Sequence, residues 1–246
     1  MQTNVEKMNF FNEIQKDKAL YADMLESLRQ EDAEILHDSK TALLLQLKSW
    51  PLYLLAATDL EEGKSLLQGL TPNEDGEIVL VLRGKDLNAY ALSLGYQTSG
   101  PCYQTLYEKK EPIQAKSNLI IRHPEREEYE MICKTYTLNI SEEEVYASID
   151  RPEFAAGYAD GKLAGFIGLH AEGSIGMLHV MDEFRGRGYA WDLSAHMVNG
   201  RMAAGAYPYG QVYDDNEASI SLQRKMGMTF SKEFIYWMWK PTSKEF

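Results

Sequence analysis

Arg185 and Arg187 alternate with Gly186 and Gly188 just before a long helical pattern that starts at Tyr189. Glycine tolerates a positive φ angle and lets a ligand approach the backbone closely. Free N–H groups and the dipole at the start of a helix attract anions, and the two arginines add full positive charges. The pattern predicts a loop that binds a pyrophosphate. A tight strand-to-helix turn with two solvated arginines would show the same residues.

Two widespread phosphate-binding loops do not fit this segment. No Gly-Lys-Ser or Gly-Lys-Thr follows the glycines, which excludes a Walker loop. The spacing of the glycines differs from the dinucleotide-binding fingerprint, and hairpin signals link the strands that precede the loop. The loop therefore predicts another class of phosphorylated ligand.

The composition is that of an acidic globular protein. Of the 246 residues, 37 are Asp or Glu and 25 are Lys or Arg, which gives a formal net charge of −12. Such a surface repels nucleic-acid phosphates and anionic lipids, so neither a nucleic acid nor a membrane is an expected partner. The apolar fraction of 44% suffices for a sizeable core, in one large domain or two smaller ones.

Targeting and redox signals indicate a cytoplasmic protein. Cys102 and Cys133 form no CxxC pair and have no histidine pair nearby, so we expect neither a disulfide framework nor a metal site. The charged N-terminal segment has no apolar signal-peptide core, and no run of apolar residues has the length of a transmembrane helix.

Local patterns divide the chain into two halves. Residues 1–50 carry apolar side chains at spacings of three and four, which predicts helices. The polar, charged segment 108–117 contains Pro112 and predicts a linker. The expected domains are therefore residues 1–117 and 118–246.

The second half alternates strand and helix signals. After a short strand come two helices, and Ser141 with Glu144 has the spacing of a capping box at the second. Asp160-Gly161 between two apolar runs predicts a hairpin turn. A further strand leads into the glycine loop, and helix, strand, helix and aromatic strand follow.

A faint internal repeat links the two halves. In each, a strand and a helix precede a glycine, Gly95 or Gly227, and an aromatic strand follows at 103–107 or 236–239. This order suggests two related domains in tandem.

The residues after 118 resemble the GNAT superfamily of acyl-CoA-dependent N-acyltransferases. The loop is similar to that family's Arg/Gln-x-x-Gly-x-Gly/Ala pattern at Arg185, Gly188 and Ala190, and the segment 216–228 is similar to its Asn-x-x-Ala-x-x-Leu-Tyr-x-Lys-x-Gly-Phe helix. Within the superfamily, the chain most resembles the FR47-like and glycine N-acyltransferase-like branch.

The resemblance implies an α/β fold with a mostly antiparallel sheet, the GNAT acyl-CoA N-acyltransferase fold, in two tandem domains. The N-terminal domain would be a degenerate GNAT-like domain without a cofactor loop, or an unrelated α/β domain. The resemblance also implies acetyl-CoA as cosubstrate, without a metal. Its expected contacts come from the strand, the loop and the later helix: Leu178, His179, Val180, Arg185, Gly186, Arg187, Gly188, Tyr189, Ala190, Asn216, Ser219 and Gln223.

The residues that move protons depart from the family pattern. The family's acid is often a tyrosine where this chain has Gln223, so Tyr213 or Tyr209 could serve, or the thiolate could leave unaided. Glycine acyltransferases use a glutamate as base, and the corresponding position in this chain is Ser174. Glu172, His179 and a water relay are then the candidates for the base.

The expected function is transfer of an acetyl or acyl group from acyl-CoA to a primary amine of a small molecule or amino acid, by direct attack, in a protein that could form a homodimer. Two other functions remain open. One is a non-catalytic acyl-CoA-binding sensor or scaffold, and the other is acetylation of a protein N-terminus or lysine.

Overall fold

A computed structural model describes residues 4–136 and 142–241 of the chain. The residues form two compact units. The first comprises Met1–Leu106, Val212–Glu217 and Thr229–Phe246, and the second comprises Tyr107–Gln211 and Ala218–Met228. This grouping cuts across the linear division expected at 117/118, because the last strand of the chain pairs with strands of the first unit.

The first unit begins with short helices and continues into strands. After a 3-10 helix at Asn4–Lys7, its elements are α1 (Phe11–Lys16), α2 (Ala22–Arg29), β1 (Ala33–Asp38), β2 (Ala42–Leu47), β3 (Leu52–Ala57), α3 (Leu60–Gln68), β4 (Glu77–Arg83), α4 (Lys85–Ser93), β5 (Gln97–Leu106) and β11 (Thr229–Pro241). The strand order is β1-β2-β3-β4-β11-β5. Among the described strand pairs of this unit, β3 and β4 run parallel, and β11 lies antiparallel to both β4 and β5.

The prediction of helices throughout residues 1–50 is wrong for its last third. Leu43 and Leu45 are fully buried in β2, which pairs with β1 on one side and β3 on the other. Leucine, alanine and glutamine favour helices, but burial in a sheet outweighs these weak intrinsic preferences.

A buried ion pair fixes α2 in the first unit. Asp23 and Arg83 are 1% and 3% exposed, and the guanidinium of Arg83 contacts the Asp23 carboxylate. Gln104 Nε2 donates to the same carboxylate oxygen over 3.0 Å. Removing either charge would leave the other buried without compensation, so this contact holds α2 in one position.

The second unit is an antiparallel sheet with helices. Its elements are β6 (Ile120–Arg122), a 3-10 helix (Arg126–Glu128), α5 (Tyr129–Thr135), α6 (Glu142–Ile149), β7 (Ala155–Ala159), β8 (Lys162–Leu169), β9 (Ile175–Val180), a 3-10 helix (Asp182–Phe184), α7 (Tyr189–Ala203), β10 (Tyr209–Tyr213) and α8 (Glu217–Met226). The order is β10-β9-β8-β7-β6; in the described part of this unit β10 and β9 pair in parallel and the other pairs are antiparallel. The expected α/β fold with a mostly antiparallel sheet is confirmed.

Turn residues behave as the sequence predicts. Asp160 and Gly161 both have positive φ, 52° and 75°, at the turn between β7 and β8, as a tight hairpin requires. Ser141, the proposed cap of α6, lies outside the described residues.

The faint repeat has a structural counterpart. α4 ends with bonds from Gly95 N to Leu92 O and from Tyr96 N to Ala91 O. α8 ends in the same way, through N–H groups of Gly227 and Met228 bonded to carbonyls three and five residues earlier. Gly95 and Gly227 have φ angles of 87° and 84°, the geometry of a Schellman stop.

Residues 108–117, expected to be a linker, form an ordered strap along α7. Asn199 exchanges two hydrogen bonds with the backbone of Ile113, of 2.8 and 2.9 Å. Asp192, which is 2% exposed, accepts the N–H groups of Lys116 and Ser117 at 2.6 and 2.9 Å. The polar composition therefore reflects an exposed face, and the backbone of the strap belongs to the second unit.

Candidate acyl-coenzyme A site

Strand β9 contains a bulge in its middle. Phe166 lies opposite His179 and Gly168 opposite Gly176, so Ile167 alone faces both Met177 and Leu178. Met177 has φ +51°, which a side chain other than glycine rarely adopts, and is buried at 2% exposure. A bulge leaves backbone groups out of the ladder, so β9 offers N–H and C=O groups to a ligand near Met177 and Leu178.

The start of α7 presents an exposed glycine loop. Gly186 and Gly188 have φ angles of 76° and 86°, and Gly188 is the N-cap residue of α7. A Cβ atom built on either glycine meets no heavy atom within 4 Å. The glycines are therefore needed for their backbone conformation, and the space above the loop is open.

N–H groups at the helix start are available to an anion. The first helical donor is Trp191 N, which bonds to Gly188 O over 3.0 Å. Tyr189 and Ala190 precede it, so their N–H groups have no acceptor within the helix, and Gly188 supplies no side-chain cap. With the helix dipole, these groups favour a phosphate.

The two arginines of the loop are exposed and held by different partners. Arg185 contacts Asp182 through Nη2 at 2.7 Å, and its Nε donates to Val180 O over 3.3 Å. Arg187 Nη2 donates to Glu183 O over 3.0 Å, and its guanidinium lies 5.3 Å from the buried Phe184 ring. Arg185 is thus paired with a carboxylate, whereas Arg187 donates to a backbone carbonyl.

The two parallel strand pairs show registers of different length. β3 and β4 pair at four positions, from Leu52 with Val79 to Leu55 with Leu82. In the register that the described residues show, β9 and β10 pair at Ile175 with Gly210, and Leu178 and Val180 lie further along β9. A strand that continues beyond a paired position can offer its edge to an extended ligand.

The helix that follows β3 lacks anion-binding features. Asp59 caps α3 through a bond from Glu62 N to Asp59 Oδ1 of 2.8 Å, and the first turn carries Glu61 and Glu62. These carboxylates already neutralise the helix start and would repel a phosphate. The first unit thus has no counterpart of the glycine loop in this position.

His179 is a half-buried residue of β9. Burial, together with the nearby Arg185 charge, lowers the pKa of this imidazole, and Asp182 partly offsets the effect. The described residues show no hydrogen bond to its side chain. At neutral pH the ring is therefore the uncharged form that can accept a proton.

Glu172 and Tyr209 belong to one hydrogen-bonded group. The Ser174 hydroxyl donates to the Glu172 carboxylate, and Tyr209 OH donates to Glu172 O over 2.6 Å. Tyr209 is fully buried. This group holds the turn that precedes β9. His179 lies near the far end of β9, roughly 13 Å from Ile175 at the usual rise per residue. Glu172 and His179 are therefore alternatives and do not act as partners.

The remaining predicted residues lie on β10 and α8. Tyr213 is 38% exposed at the end of β10, and Asn216 is exposed just before α8. Both belong to the first unit. Ser219 and Gln223 belong to the second unit, where Gln223 Nε2 donates to Ser219 Oγ over 3.1 Å along the helix. The structure thus brings Ser219 and Gln223 together on α8.

Sequence patterns did not identify two residues that matter for the site. Met177 occupies a position that any regular strand pattern would assign to the core. Gly165 lies opposite Val180 on β8, where a Cβ atom would come within 2.4 Å of His179 O. The sequence shows that residue 165 is glycine, but it does not show that β8 and β9 approach each other closely enough to require one.

Within the described ranges, no cluster of three or more His, Cys, Asp or Glu residues is arranged to hold a metal ion. The helices described there are also too short or too polar to cross a membrane.

Comparison with known proteins gives a family match over part of the chain and a similar fold. Residues 156–238 match the family model described as FR47-like protein. No curated protein matches the chain. Similar solved structures include a Drosophila protein, with a TM-score of 0.62, 16% identity, and coverage of 82% of this chain and 75% of that one.

Two structures with acetyltransferase titles are also similar. A GCN5-related N-acetyltransferase from Kribbella flavida has a TM-score of 0.55 and 13% identity, over 91% of this chain and 97% of that one. An acetyltransferase of the GNAT family from Colwellia psychrerythraea has a TM-score of 0.51 and 14% identity, over 81% of each chain. At these identities the likeness concerns the fold.

Proposed function

We propose that this chain, which matches the FR47-like family model over residues 156–238, is a GNAT-type N-acyltransferase that binds acetyl-CoA at residues 185–190. The acceptor would be a primary amine of a small molecule or amino acid. The proposal rests above all on one arrangement, in which the bulged strand β9 leads into the exposed glycine loop that opens α7.

The loop fits a pyrophosphate. Its two exposed arginines supply charge, and the N–H groups of Tyr189 and Ala190 lie beyond the reach of helical acceptors. The backbone of Leu178 and Val180, further along β9 than the pair with β10, would hold the extended pantetheine arm through strand-like hydrogen bonds. Asn216, Ser219 and Gln223 would contact the cofactor from the side of α8.

Acyl-coenzyme A would supply an activated thioester, whose acyl carbon an amine attacks while the thiol departs. Among the candidates for the base, His179 is favoured, because its imidazole is neutral and free of hydrogen bonds in the described structure. The carboxylate of Glu172 already accepts the Ser174 hydroxyl. Tyr213 is the candidate acid, since Tyr209 OH is engaged by Glu172 O.

Two measurements test this function together. Calorimetry with coenzyme A should detect binding, and thiol release from acetyl-CoA should rise in the presence of one class in a panel of amino acids, polyamines and short peptides. Binding that survives the double substitution Arg185→Ala, Gly188→Glu in a folded protein would contradict the placement of the pyrophosphate.

A non-catalytic acyl-CoA sensor is the second candidate. It is favoured by Gln223, which stands where the family often has a tyrosine and is hydrogen-bonded to Ser219. Tight coenzyme A binding without thiol release across the whole panel would support the sensor. Release only with peptides would instead favour acetylation of a protein N-terminus or lysine.

We further propose a cytoplasmic location, because both cysteines are free and buried, as is usual in a reducing compartment. The homodimer remains a prediction, and sedimentation equilibrium would test it.

A further inference from the structure

A lysine from a distant part of the sequence lies beside the start of α7. Lys116 Nζ stands 3.1 Å from the centroid of the Trp191 ring. Trp191 is three residues past Gly188, which corresponds to about 4.5 Å along the helix axis. Helical side chains also lean toward the N-terminus, so the ring and its ammonium group lie at the loop end of α7.

The strap determines this position. Ile113 is tied to Asn199, and Lys116 with Ser117 is tied to Asp192, seven residues earlier on α7. The strap therefore runs opposite to α7 and covers about 10 Å of it before it reaches the loop end. Trp191 Nε1 adds a bond of 2.9 Å to Gln114 O, which fixes the ring under Lys116.

The charge of Lys116 is available to a ligand. Its side chain is exposed, and in the described part of the chain no carboxylate lies within ion-pair distance of its ammonium group. The nearby Asp192 carboxylate accepts two backbone N–H groups and the Ser117 hydroxyl. Contact with the indole face keeps the lysine in place without neutralising it.

We propose that Lys116, held on Trp191, recognises the 3′-phosphate on the ribose of coenzyme A and so selects this cofactor over its 3′-dephospho form. The inference rests on the proposed function, because it presumes that the pyrophosphate occupies residues 185–190. The arginines and N–H groups of the loop would serve the pyrophosphate, and the 3′-phosphate of the ligand is a separate anion that a further cation can bind. Lys116 is an exposed cation that lies next to the loop but belongs to another part of the sequence.

The test compares two ligands and three proteins. Calorimetry at low salt measures coenzyme A and 3′-dephospho-coenzyme A binding to the unmodified protein, Lys116→Gln and Lys110→Gln. Lys110 is an exposed lysine of the same strap, but it precedes Ile113 and so lies toward the other end of α7. Lys110→Gln therefore removes the same charge as Lys116→Gln, but at a position away from the loop.

We expect the unmodified protein and Lys110→Gln to bind coenzyme A about fivefold more tightly than the dephospho form, the upper range for an exposed charge pair. Lys116→Gln should lose this preference and keep the affinity for 3′-dephospho-coenzyme A. Added salt should reduce the preference in the two proteins that have it.

The other outcomes separate the two proposals. Equal binding of both ligands by the unmodified protein would overturn the role of Lys116 and leave the acyl-CoA site intact. Equal weakening of both ligands in Lys116→Gln would also overturn it, since the lysine would then act as a general attractor. Absence of binding of either ligand to the unmodified protein would refute the proposed function itself.

Discussion

The imidazole of His179 is stacked on the ring of Phe166, its cross-strand neighbour, with centroids 5.4 Å apart and an interplanar angle of 17°. The contact keeps water from one face of the imidazole. It accounts in part for the burial that lowers the pKa of His179 below its ordinary value of 6.5.

This geometry predicts the pH dependence of turnover. If His179 is the base, kcat should fall only when the pH drops below the ordinary histidine pKa, because the lowered pKa keeps the ring neutral down to that range. His179→Gln should reduce kcat by about 10²- to 10⁴-fold, the usual contribution of a general base, without weakening coenzyme A binding. His196→Gln, at an exposed position of α7, is the matched control. An unchanged kcat in His179→Gln would transfer the role to Glu172 or to water.

Gly188 should tolerate no side chain, although space is available. Its φ of 86° costs an L-residue about 1 kcal/mol or more. In Gly188→Ala the loop should therefore relax to another conformation, and coenzyme A affinity should fall at least tenfold. Gly200→Ala is the control, since Gly200 lies within α7 with an open Cβ position. It should raise stability by about 0.5–1 kcal/mol and leave binding unchanged. Isothermal calorimetry and thermal unfolding measure both effects.

Asp182 should compete with the ligand for Arg185. In Asp182→Asn the 2.7 Å ion pair is lost, so coenzyme A should bind two- to fivefold more tightly at low salt, within the range of about 1 kcal/mol for exposed pairs. The same change should move the acid limb of kcat to lower pH, because the Asp182 charge raises the pKa of His179. Glu183→Gln removes a neighbouring charge but leaves Arg185 paired, and it should change neither value as much. Weaker binding in Asp182→Asn would show that the pair orders the loop.

The strap should contribute to stability and to the selection of ligand. Asn199→Ala leaves the N–H and C=O of Ile113 without their side-chain partner and should cost about 1–3 kcal/mol. Thermal unfolding measures the loss, and Asn118→Ala, at an exposed position, is the control. The preference for coenzyme A over its dephospho form should also decrease, since Lys116 would no longer be held. A large loss of stability with an unchanged preference would separate the two roles.

The sequence predicts the features that are formed by residues close together in the chain. Glycine stops, the Asp160-Gly161 turn and the glycine loop are encoded by residues next to each other, and the structure has them where the pattern indicates. The antiparallel α/β fold was expected from the resemblance of residues 185–190 and 216–228 to GNAT motifs, which are local patterns as well.

Features made by distant residues were not predictable. Leu43 and Leu45 suit a helix as well as a strand, and only pairing on both sides decides for β2. The bulge at Met177 depends on its partner strand, and the strap depends on Asp192 and Asn199, more than 70 residues away. No local pattern reports such contacts.

The position of β11 has a consequence for biosynthesis. β11 lies between β4 and β5 and pairs with each at seven positions, yet about 120 residues of chain separate it from β5. A ribosome-bound nascent chain can therefore form β1 to β4 early, but the first unit receives its central strand only after the second unit has been translated. The edges of β4 and β5 must stay protected during that interval, so we expect truncation after Met228 to yield an aggregation-prone first unit.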